Sequence, residues 1–135
     1  RWAFDVQDWN RVDYLEVWHD AFGPDNGENV PATELWKSLL DKGYHLPITY
    51  GRDWHRQSDR HFGVTYLNME EPTAACALEA IRAGRTVVSF GAKFFFRVHR
   101  WGETYGIGDT LKRGRVIFSF FTDLHARRKD ESDEP

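Results

Sequence analysis

Asp53 and His55 are the two residues of this sequence whose types and spacing best suit metal chemistry. They follow the apolar run LPITY at 46–50, which is typical of a buried strand. Side chains two residues apart in a strand point to the same side, so both could face one site while Trp54 packs behind them. A carboxylate oxygen and an imidazole nitrogen together suit Zn, Mn or Fe. The spacing therefore indicates part of a divalent-metal site.

The same tripeptide also has an ordinary structural interpretation. The Asp53 carboxylate could close a turn by accepting a hydrogen bond from the backbone, and His55 could be an exposed residue of the polar segment that follows. Spacing alone favours this interpretation, because a short Asp-x-His pattern has low specificity. His61, at the end of that segment, is expected to be exposed and not a ligand.

Three further residues could contribute to a site around this pair. His19 ends a strand-like segment and could approach the same site, although a polar residue at a strand exit is the commoner role. Arg56 and Arg60 could bind an anionic substrate, since a guanidinium group pairs with two phosphate oxygens. A solvated loop is the commoner explanation of both arginines.

Composition limits the class of protein. The 135 residues are 41% hydrophobic and 16% aromatic, which suits one folded domain with one core. The 18 basic and 21 acidic residues are mixed, so charge does not indicate a nucleic-acid partner. The single Cys76 can form neither an internal disulfide nor a thiolate zinc site. Without a signal pattern or a run of ~18 apolar residues, no membrane association and a cytoplasmic location are expected.

Apolar periodicity predicts the elements that position these residues. An alternating segment at 12–19 predicts a strand, and helical spacing that opens at Ala32 or Thr33 predicts a helix that Gly43 ends. A strand follows at 45–51, with Pro47 near its start. Further strands are predicted at 64–69, 86–91, 93–101 and 115–124, and a second helix at 71–85, with a glycine-rich connection at 102–114.

The pattern changes from alternating α/β to mostly β near Gly91. We therefore divide the chain into an α/β part at 1–91, a β-rich extension at 92–124 and a charged tail at 125–135 that is expected to be disordered or solvated. Most of the aromatic residues of the β-rich extension are expected to lie in the core. They are Phe94, Phe95, Phe96, Trp101, Phe118, Phe120 and Phe121.

Several motifs occur in one order at one spacing. They are Leu15-Glu16-Val17-Trp18, then Trp36, Leu39, Leu40 and Gly43, then Gly51, Asp53, Trp54 and His55, then Thr65-Tyr66-Leu67, then ALEAIRAGRTVVSFG at 77–91. This ordered set resembles the C-terminal half of the PHP superfamily, the polymerase and histidinol phosphatase metal-dependent phosphoesterases, especially the branch with carbaryl-hydrolase-like metallohydrolases. The resemblance covers about residues 12–110, and its specificity depends on the order of the motifs and not on any one of them.

The resemblance implies a partial, distorted (β/α) barrel followed by a smaller β-rich region. It implies two or three divalent metal ions (Mn, Fe or Zn) at the strand ends, with Asp53 and His55 as the last pair of ligands. The metal would lower the pKa of a bridging water, which then attacks a phosphate ester. The implied substrate is a small-molecule phosphoester, or a carbamate or other ester.

The sequence departs from the family at other ligand positions. It contains no His-x-His pair, His19 stands where the family commonly has Asn, and Arg52 where it commonly has Ser. A hydrolytic site needs about three protein ligands, so this portion alone is expected to be inactive or to bind metal weakly. A segment N-terminal to Arg1 or a partner chain would supply the other ligands. The alternative is a catalytically inactive structural or binding module that keeps the family outline.

Overall fold

A computed structural model describes residues 5–19, 27, 29–52 and 63–123. These ranges form a mixed α/β structure with three small sheets, ordered β1-β2, β3-β4 and β6-β5-β7. No helix within them is long and apolar enough to cross a membrane. The elements are a short 3-10 helix at Trp9–Arg11, β1 at Leu15–His19, α1 at Asn29–Asp41, β2 at Ile48–Gly51, β3 at Val64–Leu67, α2 at Ala74–Arg82, β4 at Thr86–Ser89, β5 at Lys93–Arg100, β6 at Glu103–Tyr105 and β7 at Ile117–Asp123.

The strands β1 and β2 pair in parallel, with α1 as the connection between them. Parallel strands need such a crossover, because the chain must return to the same end of the sheet. The helix begins at Asn29, earlier than the sequence predicts, since Pro31 is tolerated in a first turn where its missing N–H has no helical partner. It ends before Gly43, whose φ of 90° suits glycine.

The core lies between β1 and α1. Leu15 and Val17 alternate with the exposed Glu16 and pack with Leu39 of the helix and with Leu46. Trp36 covers this cluster, and its indole N–H donates to the carbonyl of Leu46 at 2.8 Å. Each fully buried aliphatic side chain of this kind contributes about 1.5–3 kcal/mol.

The strands β3 and β4 pair antiparallel, although α2 stands between them in the sequence. Leu67, the last residue of β3, is paired with Thr86, the first residue of β4. The chain therefore leaves β3, forms α2 and enters β4 at the same end of the sheet. A (β/α) barrel requires a parallel crossover at this step. The α/β class is therefore confirmed, whereas no closed barrel forms in the described ranges and a partial barrel is not confirmed.

The third sheet contains a strand that the sequence analysis missed. The stretch 102–114 was assigned to a connection, but β6 occupies 103–105 and pairs with β5, with Arg100 opposite Glu103. Trp101 and Gly102 form the two-residue turn between these strands, with φ of 49° and 85°. Two successive positive φ values are typical of tight hairpin turns, and Gly102 is the residue type that favours them.

The aromatic residues of this sheet are less buried than the sequence predicts. Phe94 and Phe96 are half-buried and contact the rings of Phe120 and Phe118 at 5.6 and 5.5 Å between centroids. Val98 is the buried hydrophobic residue of the sheet within the described ranges, at 3% exposure. The expectation of a mostly aromatic core is therefore wrong. The aromatic residues that are instead exposed are Phe95, Trp101, Phe118, Phe120 and Phe121.

The turn after β6 lies against the end of α2. A Cβ atom on Gly108 would collide with the carbonyl oxygen of Ala83 and would lie 3.0 Å from the carbonyl carbon of Gly84. Asp109 closes this turn, because its carboxylate accepts from the N–H of Gly106 at 2.7 Å. The β-rich extension therefore contacts the α/β part.

Candidate metal centre

Most of the predicted site falls outside the described residues. Asp53, His55, Arg56 and Arg60 lie outside them, as does His61. The described part of the site consists of β1, β2 and their neighbours.

The carboxyl ends of β1 and β2 meet at one edge of their sheet. His19 and Gly51 are the last residues of the two strands and are partners in the parallel register. Asp53 follows Gly51 by two residues in the sequence. The strand that leads to the Asp-x-His pair therefore ends beside His19, for which a shared site was the less common of the two roles considered from the sequence.

Asn29 holds the end of β1 against the start of α1. Its side-chain amide donates to the carbonyl of His19 at 3.0 Å, and its side-chain oxygen accepts from the N–H of His19 at 3.1 Å. Asn29 is 1% exposed, so both hydrogen bonds are protected from water. Asn29 precedes the helix start that the sequence predicts. The available signal was its residue type, because Asn is favoured where a helix begins.

Glu16 is a second residue that the sequence analysis did not assign to a site. It is paired with Thr49 and lies on the side of β1 opposite Leu15 and Val17. A Cβ atom on Gly51 would collide with the Glu16 carboxyl group, so the missing side chain at this position gives the carboxylate its room. Glu16 lies between Leu15 and Val17 in the sequence, and this alternation indicates that its side chain points away from the core.

A cavity of about 470 Å³ lies on the Glu16 side of these strands. Asp13, Glu16 and Arg82 contribute charged groups to its lining, and Thr49 and Thr65 contribute hydroxyl groups. The Thr65 hydroxyl oxygen accepts from the N–H of Tyr50 at 2.8 Å, which links β2 to β3 at the cavity wall. Charges of both signs beside hydroxyl groups suit a polar small molecule.

Aromatic side chains pack around the ends of β1 and β2. Phe90 lies edge-on to Trp18 at 5.6 Å and to Tyr50 at 6.4 Å between ring centroids. A Cβ atom on Gly63 would collide with the Tyr50 ring, so the chain passes close to this ring where it enters β3. These contacts fix the ends of β1 and β2 relative to β4.

The described residues do not complete a metal site by themselves. Within 5–19, 27, 29–52 and 63–123, no group of three or more His, Cys, Asp or Glu side chains is close enough to hold a metal ion. His19 and Glu16 are of the ligand types that Zn and Mn accept. Because a hydrolytic metal needs about three protein ligands, these two residues could supply only part of a set.

A second cavity, of about 550 Å³, lies between β3, β4 and the three-stranded sheet. Arg85 at its wall donates to the Glu79 carboxylate at 2.7 Å, and this hydrogen bond raises the pKa of Arg85. Tyr105 donates its hydroxyl to the Glu103 carboxylate, which raises the pKa of Tyr105 above its usual value. Arg85 is cationic and Tyr105 neutral at neutral pH with or without these shifts.

Comparisons of the chain with protein-family models, with curated proteins and with solved structures return no match.

Proposed function

We propose that this chain is part of a metal-dependent hydrolase of the phosphoesterase type. In this proposal Asp53 and His55 supply part of a multinuclear divalent-metal site, and the remaining ligands come from another segment or from a partner chain. His19 and Glu16 are the described residues that would join the site. The substrate is a small-molecule phosphoester or another ester.

The parallel pairing of β1 and β2 is the observation that carries the proposal. Ligands and catalytic residues of parallel α/β structures gather at the carboxyl ends of the strands. Here that edge contains His19 directly beside the strand end that precedes the Asp-x-His pair. The ordered motif set over about residues 12–110 gives independent support.

The chemistry of the donor set fits a divalent metal. Carboxylates and neutral imidazole together suit Zn, Mn and Fe, and such a metal would supply an activated water and charge neutralisation on the ester. The Asn29 hydrogen bonds hold the backbone of His19, which limits how far its side chain can move from the edge. This chain's own residues would therefore bind and orient the metal.

Metal content of the purified chain tests the proposal. At equilibrium dialysis against Mn²⁺ or Zn²⁺, elemental mass spectrometry should find metal bound to the wild-type chain, with low affinity because only part of the ligand set is present. Asp53→Ala and His55→Ala should each remove most of it, because losing one ligand of a small set lowers affinity strongly. His19→Ala and Glu16→Gln then decide which of the two described residues is a ligand.

His45→Ala is the matched control for the histidine variants. His45 is exposed and precedes β2 at the amino end of the strand, so its removal should leave the metal content unchanged. Metal that persists equally in Asp53→Ala and His55→Ala would contradict the proposal, as would a well-folded wild-type chain that takes up none.

The alternative function is a catalytically inactive binding or structural module. The exposed apolar residues of β7 favour it, because an apolar surface on a folded sheet is typical of an interaction site. The two functions differ in a simple assay with a chromogenic phosphate monoester and added Mn²⁺. Turnover that requires Asp53 and His55 supports the hydrolase, whereas a well-folded chain whose metal content depends on neither residue supports the inactive module.

A further inference from the structure

Among the described residues, the strand β7 is an apolar edge of its sheet. In the order β6-β5-β7 it pairs on one side only, with β5, among the described residues. Ile117 is 70% exposed, Phe118 64%, and Phe120 and Phe121 are each 60% exposed. Successive strand residues point to opposite faces, so β7 presents apolar side chains on both faces beside its edge.

The sequence of β7 is symmetric in its apolar pattern. Ile117 and Phe118 precede Ser119, and Phe120 and Phe121 follow it. Two copies of this strand, run antiparallel about a twofold axis at Ser119, place Phe118 opposite Phe120 of the second copy and Ile117 opposite Phe121 of the second copy. Aromatic and β-branched cross-strand pairs of this kind are the ones that stabilise antiparallel sheets.

We propose that β7 is a homodimerisation edge and that its occupant is β7 of a second copy of this chain. The two three-stranded sheets then form one continuous six-stranded sheet, with Ser119 of each copy at the twofold axis. This is an isologous contact, in which one surface is complementary to itself. It does not depend on the metal site.

The contact within each copy already favours this register. The Ser119 hydroxyl oxygen lies 3.0 Å from Nε2 of His99 on β5, and the half-buried Ser119 therefore turns toward its own sheet. Its small side chain leaves room where the two strands would cross the axis. The bulky side chains stand on either side of it, where they meet apolar partners.

The apolar area is close to what a stable dimer needs. A fully exposed Phe presents about 150–250 Å², so the exposed fractions of the four side chains amount to roughly 500 Å² in each copy. Edge pairing covers the flanks of these side chains and not their outer faces, so about 1,000 Å² over both copies is an upper bound, and it lies at the lower limit for a specific interface.

From Ile117 to Thr122 the strand lacks the features that usually keep an edge monomeric, although its last residue, Asp123, is charged. Natural edges carry lysine, proline, bulges or inward-pointing charges. The register between β5 and β7 runs without a shift from Lys93 opposite Asp123 to His99 opposite Ile117. The residues 117–122 contain neither a charged residue nor proline.

Sedimentation velocity over a range of concentrations measures the proposed dimer. The wild-type chain should pass from monomer to dimer as its concentration rises through the micromolar range. Ile117→Lys should raise the dimer dissociation constant by at least about tenfold, because it places a charge opposite Phe121 of the second copy. This substitution keeps the Phe94–Phe120 and Phe96–Phe118 ring contacts within each copy intact.

Leu78→Lys is the matched control for this variant. Leu78 is an apolar residue of α2 with 53% exposure and lies outside the sheet, so its substitution should leave the dissociation constant unchanged. Circular dichroism of both variants should equal that of the wild type.

Cysteine cross-linking tests the register itself. In a Cys76→Ala background, Ile117→Cys with Phe121→Cys should give a dimer joined by disulfides on mild oxidation, since opposite residues have Cβ atoms about 4.5–5.5 Å apart. These two positions are too far apart along one strand to pair within a copy. The control pair, Phe118→Cys with Phe121→Cys, has its two cysteines on opposite faces and should cross-link poorly.

A monomer at every concentration would overturn the proposal. It would mean that a second copy of the chain does not cover β7. A dimer that Ile117→Lys leaves intact, or one that cross-links only through the control pair, would overturn it as well.

Discussion

Asn29 connects two residues of the chain that the sequence analysis treated separately. Its side chain forms two hydrogen bonds with the backbone of His19, ten residues earlier, and its own carbonyl accepts from the Thr33 hydroxyl at 2.9 Å. One buried residue, through its side chain and its backbone carbonyl, thus joins the end of β1 to the first turn of α1. A buried amide whose nitrogen and oxygen both form hydrogen bonds is costly to replace.

Asn29→Ala should destabilise the protein by about 2–3 kcal/mol, because both hydrogen bonds to the His19 backbone are lost at a buried position. Urea unfolding followed by tryptophan fluorescence measures this change. Asn68→Ala is the control, since Asn68 is exposed and should change the free energy of unfolding by less than about 0.5 kcal/mol. An equal effect of the two substitutions would show that the His19 hydrogen bonds contribute little.

Single residues of the candidate site could be predicted only in part. His19 was a candidate because it ends an apolar segment, and the register confirms that it stands at the strand end beside Gly51. Asp53 and His55 lie outside the described residues and remain a prediction. Glu16 was missed because its proximity to Gly51 depends on which strand pairs with which, and one strand's sequence does not contain that information.

At the scale of elements, local signals predicted the helices and most strands. The periodicity before Gly43 and before Gly84 identified α1 and α2, because glycine at positive φ ends each helix, with φ of 90° and 70°. The strand β6 was missed because its three residues are too few to show a period. The better signal was the Trp101-Gly102 turn, where glycine permits the tight hairpin.

The start of α2 offers a test of local capping. The Thr73 hydroxyl accepts from the N–H of Cys76 at 3.2 Å, so Thr73→Ala should cost about 1 kcal/mol in the free energy of unfolding. Thr73→Ser keeps the hydroxyl group and should recover most of this loss. If serine fails to recover it, the contribution of Thr73 comes from its methyl group and not from the cap. Thermal or urea unfolding distinguishes the two variants.

At the scale of the whole molecule, the sequence was a poorer guide. Strand pairing and the distribution of burial depend on contacts between distant segments, so the antiparallel β3–β4 pair and the exposed face of β7 could not be predicted from local pattern. Phe118 and Phe120 are core-forming residue types, yet they are exposed because β7 lies at the edge of a three-stranded sheet.

The contact of Gly108 with the end of α2 makes one prediction about the whole molecule. Gly108→Ala should destabilise the protein by about 1–3 kcal/mol more than Gly102→Ala. Both glycines have positive φ, of 93° and 85°, so backbone strain opposes alanine at both positions. Only Gly108 would also drive a methyl group into the Ala83 carbonyl, whereas Gly102 has open space. Equal losses in urea unfolding would mean that the turn shifts freely.

The two-residue turn at Trp101-Gly102 also has a consequence for the order of folding. Hairpins closed by so short a loop form within microseconds, whereas the parallel β1–β2 pair must wait until the whole α1 crossover is in place. The β5–β6 hairpin is therefore expected to form first and to offer a template on which β7 pairs early. During refolding, β7 would then be formed and exposed before the βαβ unit is complete. Exposed apolar strands of partly folded molecules aggregate, so the yield of refolding should fall steeply as protein concentration rises.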